Sequence, residues 1–228
     1  MPAATLAVNE IFGPTIQGEG PSIGRPAVFL RLQGCNLRCS WCDSKYTYNG
    51  TEHPAHMPLG AVIETVRSMS MGCTKLLVCT GGEPLIHAPE LNELRDMMPG
   101  WDFEYETNGT IPLFPGNYSN QWYIVSPKLE NSGVDLDKRF KPEVLKSYVL
   151  NANSRFKFVV QTKQDLAEVQ MIVDEVGIPD NYVYIMPEGI DGTTIHDRTQ
   201  DLVEGVILRG WNITTRLHTW IWGNARRR

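Results

Sequence analysis

Cys35-Asn36-Leu37-Arg38-Cys39-Ser40-Trp41-Cys42-Asp43 follows the apolar run Ala27-Val28-Phe29-Leu30-Arg31-Leu32. Thiolates spaced by three and then two residues on one loop can converge on a single centre. Three of them leave one iron of a four-iron cluster without a protein ligand, and an open iron is a place where chemistry can occur. A structural zinc knot is the competing reading, but zinc normally takes four protein ligands in two spaced pairs, and no second Cys or His pair follows. The remaining cysteines are Cys73 and Cys79. Cys79 sits in the apolar run Leu76-Leu77-Val78-Cys79 and reads as a small buried hydrophobe.

Outward from the loop, apolar runs alternate with helical stripes. Strands are expected at 27–32, 74–79, 101–107, 121–125, 155–160 and 182–186, and helices at 59–71, 88–98, 141–150, 165–176 and 197–208. In 59–71 the stripe is Leu59, Val62, Ile63, Val66 and Met69; in 88–98 it is Leu91, Leu94, Met97 and Met98. Six interleaved strands imply a parallel sheet with right-handed crossovers, too few for a closed eight-fold barrel. The expectation is an α/β fold, an incomplete (open) parallel β6/α barrel, with its site on loops at the C-terminal strand ends. Polar signatures at 35–42, 80–84, 106–110, 126–128 and 186–189 all fall on that rim. The entry segment 8–24 is rich in glycine, and a short strand followed by a covering loop is expected there.

Composition narrows the class. The chain has 228 residues, 42% of them hydrophobic, enough to bury one full core, and no repeat or linker marks a second domain, so 1–228 is read as one. The net charge of −5 and the lack of a basic stripe argue against nucleic acid as partner. The terminal Arg226-Arg227-Arg228 reads as a solvated tip. No apolar run approaches a membrane span, and Met1-Pro2-Ala3-Ala4-Thr5 lacks the charged start and apolar core of a signal peptide. A cytoplasmic location follows, in keeping with an odd number of cysteines kept as thiols.

The cysteine triplet, with Trp41 before its last member and Thr80-Gly81-Gly82-Glu83-Pro84 after a strand, resembles the signature of radical S-adenosylmethionine enzymes. The resemblance narrows over residues 9–226. Ile16-Gln17-Gly18-Glu19-Gly20, Arg31-Leu32-Gln33-Gly34-Cys35, Cys42-Asp43-Ser44, Glu106-Thr107-Asn108-Gly109-Thr110, Ser126-Pro127-Lys128, and His218 with Trp222-Gly223-Asn224 together look like the 7-carboxy-7-deazaguanine synthase family.

That resemblance implies a radical lyase that contracts the ring of 6-carboxy-5,6,7,8-tetrahydropterin to 7-carboxy-7-deazaguanine with loss of ammonia, on the way to queuosine and related 7-deazapurines. It implies Cys35, Cys39 and Cys42 as ligands of a 4Fe–4S cluster. Gly82, Glu83, Ser126, Pro127, Lys128, Met186, Pro187, Glu188 and Gly189 are expected around S-adenosylmethionine, and Ser44 on a magnesium ion. Ser44 departs from a position that is commonly Thr in the family. Ile16, Gln17, Gly18, Glu19, Arg31, Thr80, Glu106 and His218 are expected at the pterin. Arg31 has an alternative as the partner of Glu10, Glu19 or Glu106. Thr80 has one as a turn cap, and His218 one as a core residue beside Trp222. A flavodoxin-like electron donor is implied as well. A homodimer is expected from the uncovered edges of an open barrel, with Leu217, Trp220, Ile221 and Trp222 at the contact. Relatives that end soon after the histidine use their terminal carboxylate at the substrate, and the longer 224–228 tail does not inherit that contact. Two other readings share the cysteine loop: an activating enzyme for a glycyl radical, and a non-catalytic iron–sulfur regulatory protein.

Overall fold

The computed structural model describes residues 4–114 and 119–228, so the first three residues of the N-terminal segment lie outside the described residues. Nine strands form one sheet: β1 (Thr5–Ile16), β2 (Pro26–Leu32), β3 (Ala55–Pro58), β4 (Leu76–Gly81), β5 (Asp102–Thr107), β6 (Gln121–Val125), β7 (Ser154–Val160), β8 (Val183–Pro187) and β9 (Asn212–Ile213). The order is β3-β1-β2-β4-β5-β6-β7-β8-β9, and the end strands do not pair with each other, so the barrel is open. Every pairing from β2 to β9 is parallel. The six expected strands are the core of this run. β9 extends it at one edge, while β1 and β3 add an antiparallel flap at the other.

The helices are α1 (Leu59–Ser70), α2 (Ala88–Asp96), α3 (Leu136–Arg139), α4 (Pro142–Val149), α5 (Asp165–Val176), α6 (Gly192–Ile207) and α7 (Leu217–Trp222). Two stripe positions differ from expectation. In the last turn of α1, Ser70 takes the buried place and Met69 is exposed; after α2, Met98 enters the core and Met97 does not. Helix α6 begins five residues before its expected start, because Asp191 caps it by accepting from Thr194 N at 2.9 Å and Thr194 Oγ1 at 2.8 Å.

Strand alternation decides what faces where. On one face Val28, Leu30 and Leu32 of β2, Leu77 and Cys79 of β4, Phe103 and Tyr105 of β5, and Phe156, Phe158 and Val160 of β7 join the main core. The intervening residues face the lumen: Phe29 and Arg31, Val78 and Thr80, Glu104 and Glu106, Lys157 and Val159. At the closed bottom of the lumen Phe12, Ala27, Phe29, Leu76 and Val78 make a small apolar plug. Above it the lumen is polar.

Strand β1 is longer than the glycine content suggested. Leu6, Val8, Glu10 and Phe12 are buried in strict alternation, and that period outweighs the glycines. The irregularity is confined to two register shifts against β2, one between Val8 and Glu10 and one between Phe12 and Thr15, the second spanning Gly13. There φ is +146° and an added Cβ would lie 3.1 Å from Val28 Cα, a close approach that needs glycine.

Candidate active site

A cavity of about 420 Å³ opens at the C-terminal rim of the strands, with the cysteine loop along one side and the polar lumen beneath. Cys35, Cys39 and Cys42 all line it. The loop is anchored from outside: Ser40 N donates to Ser132 O at 2.8 Å, and Trp41 Nε1 to Asn131 Oδ1 at 3.1 Å. Asn131 in turn donates to Asp165 Oδ2 at 2.9 Å, which ties the loop to α5. Burial pushes the Cys35 and Cys39 thiols up, and the Lys128 ammonium pulls both back toward thiolate. Among the described residues, no three His, Cys, Asp or Glu side chains converge closely enough to hold one metal ion.

Gly82 packs against the start of this loop. A Cβ there would sit 2.0 Å from Gly34 O and 2.8 Å from Cys35 Cβ, so any side chain would displace the first cysteine. Glu83 corrects an expectation. Its carboxylate turns away from the cavity and is fully buried, accepting from Leu85 N at 3.0 Å, Thr107 Oγ1 at 2.8 Å and Asn108 N at 2.6 Å. Three fixed donors satisfy a buried carboxylate better than a ligand that comes and goes. Its part is to lock the Gly-Gly-Glu-Pro turn onto the end of β5.

Of the other residues expected around S-adenosylmethionine, Gly82, Ser126, Lys128, Met186, Glu188 and Gly189 line the cavity, whereas Pro127 and Pro187 do not. A proline has no N–H to offer, and these two serve as backbone supports. Lys128 Nζ donates to Ser126 O and Oγ at 2.9 and 2.8 Å and lies 5.7 Å from the Trp41 ring centre. The Glu188 carboxylate is held by Arg198.

Of the residues expected at the pterin, Ile16, Gln17, Glu19, Arg31, Thr80, Glu106 and His218 line the cavity and Gly18 does not. Gly18 instead makes room: a Cβ there would overlap His218 Nδ1 at 2.0 Å, and its carbonyl accepts from Leu217 N at 2.8 Å. Burial holds the His218 imidazole below its usual range, which keeps it neutral near pH 7. Arg31 meets the Glu10 alternative, with Nε 2.8 Å from Glu10 Oε1, yet it also faces the cavity. Ser44 is buried with Oγ 3.8 Å from Cys42 Sγ.

A charge network runs under the cavity, and most of it escaped the sequence reading. Lys157 Nζ lies 2.5 Å from Glu19 Oε2 and 3.9 Å from Glu106 Oε1. Arg216 Nε reaches Glu19 Oε1 at 3.0 Å, and its far nitrogen pairs with Asp43 beside Cys42. Burial raises the Glu19 carboxyl, but these two cations outweigh it and hold the group well below the usual range. Gln17 Nε2 donates to Glu104 and, at 3.2 Å, to Glu106 Oε1. The signal for Lys157 and Glu104 was present in Phe156-Lys157-Phe158 and Phe103-Glu104-Tyr105, where a charge between buried aromatics must face a polar lumen. The terminal tip is exposed as expected, but it is not free: residues 224–228 line the cavity and Arg226 and Arg227 pair with Glu10. Those acids are a stronger counter-charge than water.

Glu104 makes stability depend on pH. Burial, reinforced by nearby Glu106, pushes its carboxyl from 4.5 up to about 7. The folded protein therefore keeps a proton that the unfolded chain loses above about pH 4.5, and stability falls as pH rises toward 7. Relative to the parent, Glu104→Gln should gain roughly 3 kcal/mol between about pH 4 and pH 8. Urea unfolding at both pH values checks this, and a constant difference would contradict it.

Residues 30–116 match the Radical SAM superfamily. The chain is 36% identical over 224 residues to the 7-carboxy-7-deazaguanine synthase of Pyrobaculum aerophilum, covering 97% of this chain and 96% of that one. To the Escherichia coli K12 protein of the same name it is 30% identical, covering 94% and 97%. The crystal structure of QueE from Escherichia coli superposes with a TM-score of 0.72 at 26% identity, covering 94% of this chain and 95% of the other. With identity sustained over almost the full length of both chains, and the cysteine loop seated on an open parallel barrel, this protein belongs to the 7-carboxy-7-deazaguanine synthase family of radical S-adenosylmethionine enzymes.

Proposed function

We propose that the protein converts 6-carboxy-5,6,7,8-tetrahydropterin to 7-carboxy-7-deazaguanine with loss of ammonia, a step of queuosine and related 7-deazapurine biosynthesis. One observation carries the reading. A single cavity joins three thiols on its upper wall to a lumen where Arg31 and Glu106 offer opposite charges. Glu106, oriented by Gln17, suits the N–H donors of an aminopyrimidinone edge, and Arg31 suits a carboxylate.

The superfamily implies a 4Fe–4S cluster and S-adenosylmethionine, and the residues present fit both. The donor set is three thiols on one anchored loop with Lys128 beside them, and the bare backbone of Gly82, packed against Gly34 and Cys35, lines the same cavity. In this reading Cys35, Cys39 and Cys42 hold the cluster. Gly82, Ser126, Lys128, Met186, Glu188 and Gly189 surround S-adenosylmethionine. Bound there, the two cofactors would supply one-electron reductive cleavage and hydrogen abstraction from the pterin. The chain's own work is to orient and shield. Lys157 and Arg216 fix Glu19, Lys157 also faces Glu106, and the apolar plug, in which Phe12 and Phe29 stack at 5.0 Å, closes the bottom of the lumen.

The test is anaerobic reconstitution followed by measurement of 5′-deoxyadenosine and 7-carboxy-7-deazaguanine with and without the pterin. Cleavage without any pterin product would sink the reading, and would favour an activating enzyme with a protein substrate.

Four finer points belong to this proposal. Ser44 would supply a hard oxygen to a magnesium ion near the substrate. Turnover should fall on chelation and Ser44→Ala should raise the magnesium requirement; unchanged rates under thorough chelation would remove the metal. A flavodoxin-like donor supplies the electron, checked by turnover with reduced flavodoxin in place of a chemical reductant. The chain is one domain acting as a homodimer, supported by the open edges at β3 and β9 and by the exposed Trp220 and Ile221. Sedimentation showing only monomer at micromolar concentration would overturn the dimer. A cytoplasmic location is supported by five free cysteines, and cell fractionation checks it. Among the described residues no helix is long and apolar enough to cross a membrane.

A further inference from the structure

Glu10 rises from β1 with its side chain only 2% exposed, and three guanidinium groups close on it. Its Oε1 accepts from Arg31 Nε at 2.8 Å and from the Tyr46 hydroxyl at 3.3 Å. Its Oε2 accepts from Arg226 Nη2 at 3.2 Å and Arg227 Nε at 3.0 Å. Arg226 is pinned further by Glu52 Oε1 at 2.6 Å and Oε2 at 3.0 Å, by Asn9 Oδ1 at 3.4 Å, and by the Tyr46 ring, whose centre lies 3.7 Å from its guanidinium carbon. Residues 223–228 line the main cavity. On their other side Trp222, Arg227 and Arg228 border a second hollow with Gly13 and Pro14, so the tail stands as a thin wall between two spaces.

A lone Glu10 would draw the whole fork of Arg31, since arginine and carboxylate prefer two parallel hydrogen bonds. Here Arg226 and Arg227 occupy Oε2, and Arg31 holds Glu10 through Nε alone. The terminal amino groups of Arg31 hydrogen-bond to nothing among the described residues, and the side chain borders the cavity. Asp43 adds a negative charge near Arg31. Glu10 and Glu52 face Arg31, Arg226 and Arg227, while Arg228 pairs with no acid among the described residues.

We infer that Arg226 and Arg227 are positioning residues that set substrate specificity: by occupying Glu10 they free the Arg31 fork for a carboxylate, and they favour an anionic pterin over a neutral one. The inference rests on the pterin reading of the site. It makes the tail, which the sequence marks only as an extension, part of the selection machinery.

The experiment uses the reconstituted full-length enzyme, the variant R226A/R227A and the charge-conserving R226K/R227K. Kinetics are measured with the 6-carboxy pterin, and equilibrium binding is compared for that compound and for tetrahydropterin lacking the carboxylate. In the alanine pair KM for the carboxylated substrate should rise about tenfold, with kcat changed much less, as for the loss of one oriented charge-assisted contact. The preference for the carboxylated pterin should shrink by the same factor, and the lysine pair should restore most of it. In the unmodified enzyme the preference should also weaken with added salt, a readout that needs no variant. A parent enzyme that neither binds nor transforms the pterin would bring down the functional reading and this inference with it. An active parent whose alanine variant keeps its KM and preference, or loses affinity equally for both pterins, would overturn the role of the tail alone.

Discussion

Cys39→Ala is expected to lose the broad brown iron–sulfur absorbance and every trace of S-adenosylmethionine cleavage, and the same holds for Cys35→Ala and Cys42→Ala. The three thiols are the cysteines that line the cavity, and the remaining two stand apart from it. Cys79 is buried in β4, where burial pushes its thiol far above the usual range, and Cys73 is exposed with Sγ 3.0 Å from Ser70 O. Cys79 cannot substitute as a ligand without a rearrangement of the sheet, and Cys73 lies in the turn after α1, outside the cavity. The loop itself should survive the loss of one sulfur, since Ser40, Trp41 and Lys45 are anchored by hydrogen bonds outside the cluster. Absorbance and iron content, with Cys73→Ala as the control, check the result. A normal four-iron cluster in Cys39→Ala would refute the ligand assignment.

Arg31→Ala should leave the cluster assembled and allow slow, uncoupled formation of 5′-deoxyadenosine. Ring contraction should fall on the order of a hundredfold, the effect of losing a charged contact of roughly 3 kcal/mol. The objection is that Arg31 is the salt-bridge partner of buried Glu10, so that its removal strands a carboxylate. The structure answers it, because Glu10 keeps Arg226, Arg227 and the Tyr46 hydroxyl as partners. Unfolding midpoint and the two product yields, measured on the same preparation, separate the possibilities. Normal pterin turnover, or failure to fold, would make Arg31 a structural residue.

The six parallel strands and the rim on which the polar clusters gather were legible because buried parallel strands read as short apolar runs, and because the cysteine spacing is rare. What was not legible depended on tertiary context. Glycine content hid the length of β1, although Leu6, Val8, Glu10 and Phe12 already alternated. The two-residue β9 carries too little pattern to be seen. Glu83 has the right residue type for a ligand contact, and only the position of Thr107 and Asn108 reveals that its oxygens are already taken. Lys157 was readable in principle from its aromatic neighbours. Arg216 was not, because its partners Glu19 and Asp43 lie far away in sequence and meet it only across the barrel mouth. The tail is solvated as its charge suggests, but its pairing with Glu10 was not legible, since the buried acid beneath it lies more than two hundred residues earlier in the chain.

The alternation along β2, β5 and β7 has a consequence for how this barrel can change. Successive residues of one strand answer to different demands: Phe156 and Phe158 to the packing of the helix layer, Lys157 to the charge balance of the lumen. A substitution at a lumen position leaves the greasy outer layer untouched, so new chemistry can be written onto the inner surface without renegotiating the fold. The restriction is electrical rather than steric. Lys157, Glu19, Arg216 and Asp43 form an alternating chain of charges, and reversing one of them strands its neighbours, so viable changes at these positions should arise in compensating pairs.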